Sequence, residues 1–365
     1  MGNVRMFSVF KIAGAYIAYV IGSGFATGQE IVHFFTVYGL ESTTGIIVSG
    51  ILFGFTGGFM ISDGVQKGSS GILRIYSDYC GIFIGFLFNM VVPLLLFGSV
   101  VIMLAGSAAT FEEYFGLEYE TGALVMALSV YISYLLGFRK IVSIMGVFGP
   151  VVIMFTVIVG LITFINSGSI GLVSGCEEAA SGIVPPADTA LGSALLYVSY
   201  NISTAAVFFR SLGESGISKK EAWTGSFLGA GLLVLSLFSV NLALLSKGNE
   251  IAELSIPTLH LAREISPILG TLFSIILLIE IYSTAVPMMW SVCSRISPEG
   301  SMSAMITGAV FISIAIICSF TPFEELIGVI YPYEGRIGLV FLICLLGSKL
   351  KTLITGFISR VMWYN

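Results

Sequence analysis

Apolar residues occupy the chain in long runs, each of helical length and each closed by a short polar connection. The runs cover roughly residues 7–38, 44–62, 81–107, 121–137, 141–165, 189–210, 222–246, 267–293, 302–320 and 324–347. About 20 apolar residues in a helix cross a hydrocarbon core of about 30 Å, and in lipid only helices and closed barrels satisfy every backbone group. Runs of this length select helices. The pattern therefore predicts an all-α polytopic membrane protein with ten transmembrane helices, built as a single integral domain over 1–365. The first run follows Arg5 and Lys11, but it is too long for a removed signal peptide and lacks a small-residue cleavage site.

Two runs are interrupted. In the first, Ile21-Gly22-Ser23-Gly24-Phe25-Ala26-Thr27-Gly28-Gln29-Glu30 falls about fourteen residues in, roughly 20 Å along a helix and well inside the bilayer. In the sixth, Tyr200-Asn201-Ile202-Ser203-Thr204 places polar groups at a similar depth. Spans one and six run in opposite directions, and matching interruptions in two halves are the mark of inverted-repeat carriers. The predicted architecture is thus a 5+5 inverted repeat, repeat one about 7–165 and repeat two about 189–347, with helices 1 and 6 broken. Freed N–H groups at Gly24, Phe25 and Ala26 would offer donors to an anion, and carbonyls near Ala18 to Ile21 and Tyr197 to Tyr200 would offer acceptors to a cation. The expected substrate-binding residues are Gly22, Ser23, Gly24, Phe25, Ala26, Thr27, Tyr200, Asn201 and Ser203. A purely structural alternative is a glycine pair serving helix packing.

Composition agrees with the class: 56% hydrophobic, 10% charged, mean hydropathy +1.00. Charge adds orientation. Arg5, Lys11, Lys67, Arg74, Arg139, Lys140, Arg210, Lys219, Lys220, Arg295, Lys349, Lys351 and Arg360 fall on one side of the ten spans, 13 of the 16 basic residues. By the positive-inside rule both termini are expected in the cytoplasm, in the cell membrane. Small residues four apart, Gly50, Gly54 and Gly58 in span two and Gly225 and Gly229 in span seven, predict close helix crossings. A short interfacial helix is expected between 62 and 80, and a helical cap, a candidate lid, at 252–265. The five cysteines, Cys80, Cys176, Cys293, Cys318 and Cys344, lack metal-type spacing and are expected to be reduced. No nucleophile-base constellation or phosphate-binding loop faces a soluble compartment, so an enzyme is the least favoured class. The expected partners are membrane lipid and a small-molecule substrate, with no nucleic acid and no cofactor.

Carboxylates inside the membrane change the picture further. An ionised one at the bilayer centre costs about 3 kcal/mol on insertion scales, so Glu30 and Glu280 must be paired, protonated or functional, and both are candidates for ion coupling. Glu334 and Arg336, beside Pro332 and Gly335, are expected to form a structural ion pair.

With these residues in view, IGSGFATGQE resembles the glycine signature in the first helix of the amino acid-polyamine-organocation superfamily, and is most similar to its YkvI-like bacterial branch. The ten spans and their breaks resemble the LeuT-type core along nearly the whole chain. The resemblance implies a secondary active transporter of a small amino-acid-like substrate held between helices 1 and 6. It also implies a sodium site made by the hydroxyls of Ser283 and Thr284 with the carbonyls of Ala18 and Ile21. Some relatives replace that sodium with a lysine from helix five; span five here has no basic residue after Lys140, which favours sodium as coupling ion. The alternatives are a proton-coupled carrier of an amino acid, amine or osmolyte working through Glu30 or Glu280, and a non-transporting ligand sensor of the same fold.

Overall fold

A computed structural model describes residues 5–67, 74–167, 184–248, 254, 256–321 and 323–364. Helix occupies all ten apolar segments. The elements are α1 (Met6–Val20), α2 (Ser23–Thr27), α3 (Gln29–Phe34), a 3-10 turn (Thr36–Glu41), α4 (Ser42–Lys67), α5 (Ile75–Phe115), α6 (Tyr119–Leu135) and α7 (Phe138–Ser167). After the 168–183 stretch follow α8 (Ala190–Gly213), α9 (Lys219–Lys247), α10 (Pro257–Ile265), α11 (Pro267–Ile296), α12 (Met302–Cys318) and α13 (Phe323–Tyr364). Among the described residues, seven helices are long and apolar enough to cross a membrane; Met6–Val20 and Met302–Cys318 are shorter apolar helices.

Local chemistry sets the helix starts. Ser218 and Glu221 form a capping box at α9: the Ser218 Oγ accepts from the Glu221 N–H at 3.2 Å, and Glu221 Oε2 accepts from the Ser218 N–H at 2.7 Å. Thr189 caps α8 through the Gly192 N–H at 3.1 Å, and Ser301 caps α12 through Ala304. Glu221 also takes the Arg5 N–H at 2.9 Å and the Arg5 Nε at 3.0 Å, joining the starts of α1 and α9. On that same face Lys11 donates to Ser143 of α7 at 3.0 Å, and Lys349 and Tyr79 both hold Asp63, at 2.6 and 2.8 Å.

α1 lies in the middle of the bundle, packed against α7, α8, α9 and α11. Close approach there depends on glycine. A side chain on Gly54 would strike Phe227 and one on Gly58 would strike Trp223, both of α9, while Gly225 and Gly229 give room to Ile12 and Tyr16 of α1. The tightest crossing is α4 on α8, where a Cβ on Gly64 would overlap the Arg210 carbonyl and one on Gly213 the Ile61 carbonyl. Backbone cannot yield as a side-chain tip can. Gly64→Ala is therefore expected to destabilise by about 1–3 kcal/mol, as overpacking typically does, whereas Gly231→Ala, with open space around it, should be neutral. Thermal unfolding of the two variants in one detergent checks this; equal midpoints would show that the crossing is looser than described.

Three expectations need adjustment. Helix 6 is not broken: α8 runs without interruption from Ala190 to Gly213. Its polar side chains fold back on their own helix, Asn201 Nδ2 to the Tyr197 carbonyl at 3.0 Å, Ser203 to Tyr200 at 3.1 Å and Thr204 to Tyr200 at 2.8 Å. Their donors are satisfied internally, so no backbone group is released. Between 62 and 80, residues 62–67 finish α4, and Ile75–Cys80 is a helical piece set off from the rest of α5 by Gly81, whose φ of 76° and ψ of 176° break the helix; 68–73 lie outside the described residues. Glu334 and Arg336 do not pair. Arg336 is exposed and stacks over Tyr333, 5.7 Å from the ring centroid, while Glu334 turns inward and accepts from Ser99 at 3.1 Å. Among the described cysteines Cys80, Cys293, Cys318 and Cys344 are free; Cys176 lies outside the described residues.

Candidate functional site

The break in the first helix is present. α1 ends at Val20, Ile21 and Gly22 are extended with φ/ψ of −81°/115° and −121°/−171°, and α2 restarts at Ser23. α2 is only five residues long and stops at Gly28, which takes a left-handed φ of 88° and turns the chain into α3. A Cβ on Gly22 would stand 2.6 Å from the end of the Met103 side chain.

Helix α11 supplies the partner for the carbonyls that the break releases. The Thr284 hydroxyl is 2.9 Å from the Ala18 carbonyl, 3.2 Å from the Glu280 carbonyl, and makes a close contact with the Ile21 carbonyl. A hydroxyl has one proton to give, so three carbonyl oxygens around it leave lone pairs unshared. An all-oxygen cluster of this kind suits a hard monovalent cation. Of the predicted set, Ala18, Ile21 and Thr284 are brought together; Ser283, one residue away, donates to the Glu280 carbonyl at 3.0 Å. Among the described residues no group of three His, Cys, Asp or Glu is placed to hold a metal ion.

Glu30 is the centre of the second half of the site, and it is 1% exposed. Tyr200 of α8 donates its hydroxyl to Glu30 Oε1, and the Phe25 N–H in the first turn of α2 and the Tyr197 hydroxyl are beside the same carboxylate. Gly24 makes this possible: a Cβ there would stand 2.8 Å from Glu30 Oε2 and 2.9 Å from the Tyr331 ring. The expected nest of free donors at Gly24, Phe25 and Ala26 is therefore different in detail. Ala26 donates within the half-helix to the Gly22 carbonyl at 2.9 Å, and the Phe25 donor faces a carboxylate that belongs to the protein. Thr27 donates to the Gly24 carbonyl at 3.1 Å. Tyr200 lies at the site; Asn201 and Ser203 are buried in α8 and bound to their own helix.

Aromatic rings wall this carboxylate. Tyr200 stacks on Tyr331 with centroids 5.0 Å apart and planes within 11°, and Phe34 lies 5.8 Å from Tyr200. Two further acids share the field of Glu30: Glu280, 1% exposed, and Glu334, 0% exposed. Glu280 Oε1 has no hydrogen-bond partner among the described residues. None of the three acids makes an ion pair among the described residues. Tyr331 and Ser99 are absent from the expected site, and Glu334 belongs with Glu30 and Glu280 rather than in a structural pair; its signal in the sequence is an acid deep in an apolar run.

Both approaches to the break are closed. On one face α10, the expected cap, sits over α2: Thr258 donates to the Ala26 carbonyl, Gln29 donates to the Leu254 carbonyl at 2.5 Å, and Lys247 pairs with Glu264 at 2.8 Å. On the other face, the one bearing the start of α1, aromatic contacts run Tyr19–Phe208, Phe208–Phe138 and Phe138–Trp290 at 4.7, 5.7 and 4.3 Å. Glu299 fastens that end by accepting from the Phe138 N–H at 3.1 Å and Trp290 Nε1 at 3.3 Å. Beneath it lies a cavity of about 200 Å³ lined by Tyr134, Trp290, Ser294 and Glu299.

Comparison with known proteins fits this geometry. No family model matches the chain. It is 27% identical over 347 residues to the Bacillus subtilis membrane protein YkvI, covering 94% of this chain and 96% of the relative, and 24% identical over 332 residues to Bacillus subtilis YyaD, covering 90% and 93%. Among solved structures, a mutant of the Eremococcus coleocola manganese transporter superposes with a TM-score of 0.61 at 14% identity, over 91% of this chain and 76% of that one. Mhp1, a nucleobase-cation-symport-1 family transporter in a closed conformation with bromovinylhydantoin bound, superposes with a TM-score of 0.59 at 14% identity, over 90% and 74%. Broken first helix, oxygen cluster and superposition converge: the chain is a multi-pass membrane protein with the LeuT-type transporter fold, similar over nearly its whole length to YkvI.

Proposed function

We propose that the protein is an ion-coupled secondary transporter that moves a small, amino-acid-like, amine-bearing solute by alternating access, with sodium as the favoured coupling ion. The observation that carries this reading is the Thr284 hydroxyl among the carbonyls of Ala18, Ile21 and Glu280, directly at the helix break and one turn from Glu280 itself. Sodium on these oxygens fixes the end of α1; solute beside Glu30 fixes the start of α2. Each ligand orders the backbone that the other needs, which is how binding of one favours binding of the other. Separate closures above and below the site, the α10 cap and the Glu299 fastening, support alternating exposure of one buried site. The inverted pairing of 7–165 with 189–347 and cytoplasmic termini belong to the same proposal.

The test is flux. In proteoliposomes, an inward sodium gradient is expected to accumulate at least one labelled solute from a panel of amines and amino acids, and Ser283→Ala with Thr284→Ala is expected to abolish the sodium stimulation. Sodium-stimulated uptake that survives in the double variant rules out this ion site. The three buried acids favour a second reading, proton coupling. It predicts uptake driven by a proton gradient without sodium and lost in Glu280→Gln.

A further inference from the structure

We propose that Glu30 stands where the carboxylate of an amino acid would dock, so that, within the amino-acid-like solutes, the site takes an organic ammonium ion that lacks the carboxylate; this rests on the central site proposed above. The N–H groups at the start of α2 are a place at the break that could receive an anion. Glu30 reaches the Phe25 N–H there, and Gly24 lets its carboxylate lie against the half-helix. An incoming carboxylate would find those donors already faced by the carboxylate of Glu30. What Glu30 lacks is a cation. Tyr200 offers it one neutral hydrogen bond, and no Lys or Arg pairs with it among the described residues.

The surroundings point the same way. The stacked Tyr200 and Tyr331 with Phe34 present ring faces and edges, and a desolvated ammonium gains from ring faces as well as from the carboxylate. Glu280 supplies an independent observation. It lies one turn before Thr284, whose Cγ2 would be 3.6 Å from a Cβ on Gly22, so this face of α11 meets the break, and its buried Oε1 has no partner. An ammonium has three N–H donors to distribute. Glu30 and the Glu280 Oε1 are acceptors for two of them.

The test is binding by the purified full-length protein, read as thermal stabilisation with matched pairs: isobutylamine against valine, 2-phenylethylamine against phenylalanine and putrescine against ornithine, with isobutyrate as the carboxylate alone. At least one amine is expected to raise the midpoint by several degrees, at a concentration at least tenfold below that at which its amino acid does, and Glu30→Gln is expected to need at least tenfold more of that amine for the same rise. An amino acid binding as tightly as its amine, a response to isobutyrate, an unchanged amine response in Glu30→Gln, or silence across the whole panel overturns the inference. Tight amino acid binding would leave the transport reading standing. Amine binding without any flux would overturn transport and leave the inference.

Discussion

Replacing Glu30 by glutamine is expected to weaken solute binding by about ten- to a hundredfold while leaving the protein folded. Glutamine keeps the shape and an oxygen able to accept from the Tyr200 hydroxyl and the Phe25 N–H, so the local packing is retained. It removes the charge. A hydrogen bond to a charged group contributes about 1.5–3 kcal/mol, and losing the one between the ammonium and Glu30 gives the stated range. Titration calorimetry of wild type and Glu30→Gln with the same solute checks it. Equal affinities would mean that Glu30 only closes the half-helix and that the solute binds elsewhere.

Gly24→Val is expected to abolish binding outright. A first side-chain atom at this position already stands 2.8 Å from Glu30 Oε2 and 2.9 Å from the Tyr331 ring, and two further methyl groups add to the crowding. The carboxylate must leave the start of α2 or the ring must leave its stack on Tyr200. Either movement dismantles the wall of the site. Overpacking of this kind costs about 1–3 kcal/mol of stability as well, so a lower unfolding midpoint should accompany the loss. Gly347→Val, at a position with open space, is the control and should bind and melt as wild type. Normal binding by Gly24→Val would show that this glycine serves packing alone.

What was legible in the sequence followed from lipid physics. Apolar runs of bilayer length mark the helices, and Ile21–Gly22 marks the break, because the glycines there sit inside an apolar run beside Ser, Thr and Glu, polar groups that lipid does not satisfy. Thr284 was reached by position within the resembling fold, and its hydroxyl does lie on the Ala18 and Ile21 carbonyls. The interruption in α8 misled for a physical reason. Asn, Ser and Thr look like breakers in a string of letters, yet inside a membrane helix the same side chains can bond the preceding turn, as Asn201, Ser203 and Thr204 do. Glu334 misled in the opposite sense. Its neighbour in sequence, Arg336, lies two residues on and so on another face of the helix, whereas Ser99 of α5 is its neighbour in space. That Glu30 lies beside the start of α2 likewise depends on the chain reversal at Gly28, which no spacing rule foretells.

The proposed transport requires that ion and solute meet at one break in the first helix. The most direct measurement is the dissociation constant of a solute by calorimetry in sodium and in choline, for wild type and for Thr284→Ala. Shared ordering of Ala18 to Glu30 predicts binding at least tenfold tighter in sodium for wild type and the same affinity in both salts for the variant. Equal affinities in sodium and choline for wild type would contradict the claim and shift the coupling to a proton on the buried carboxylates.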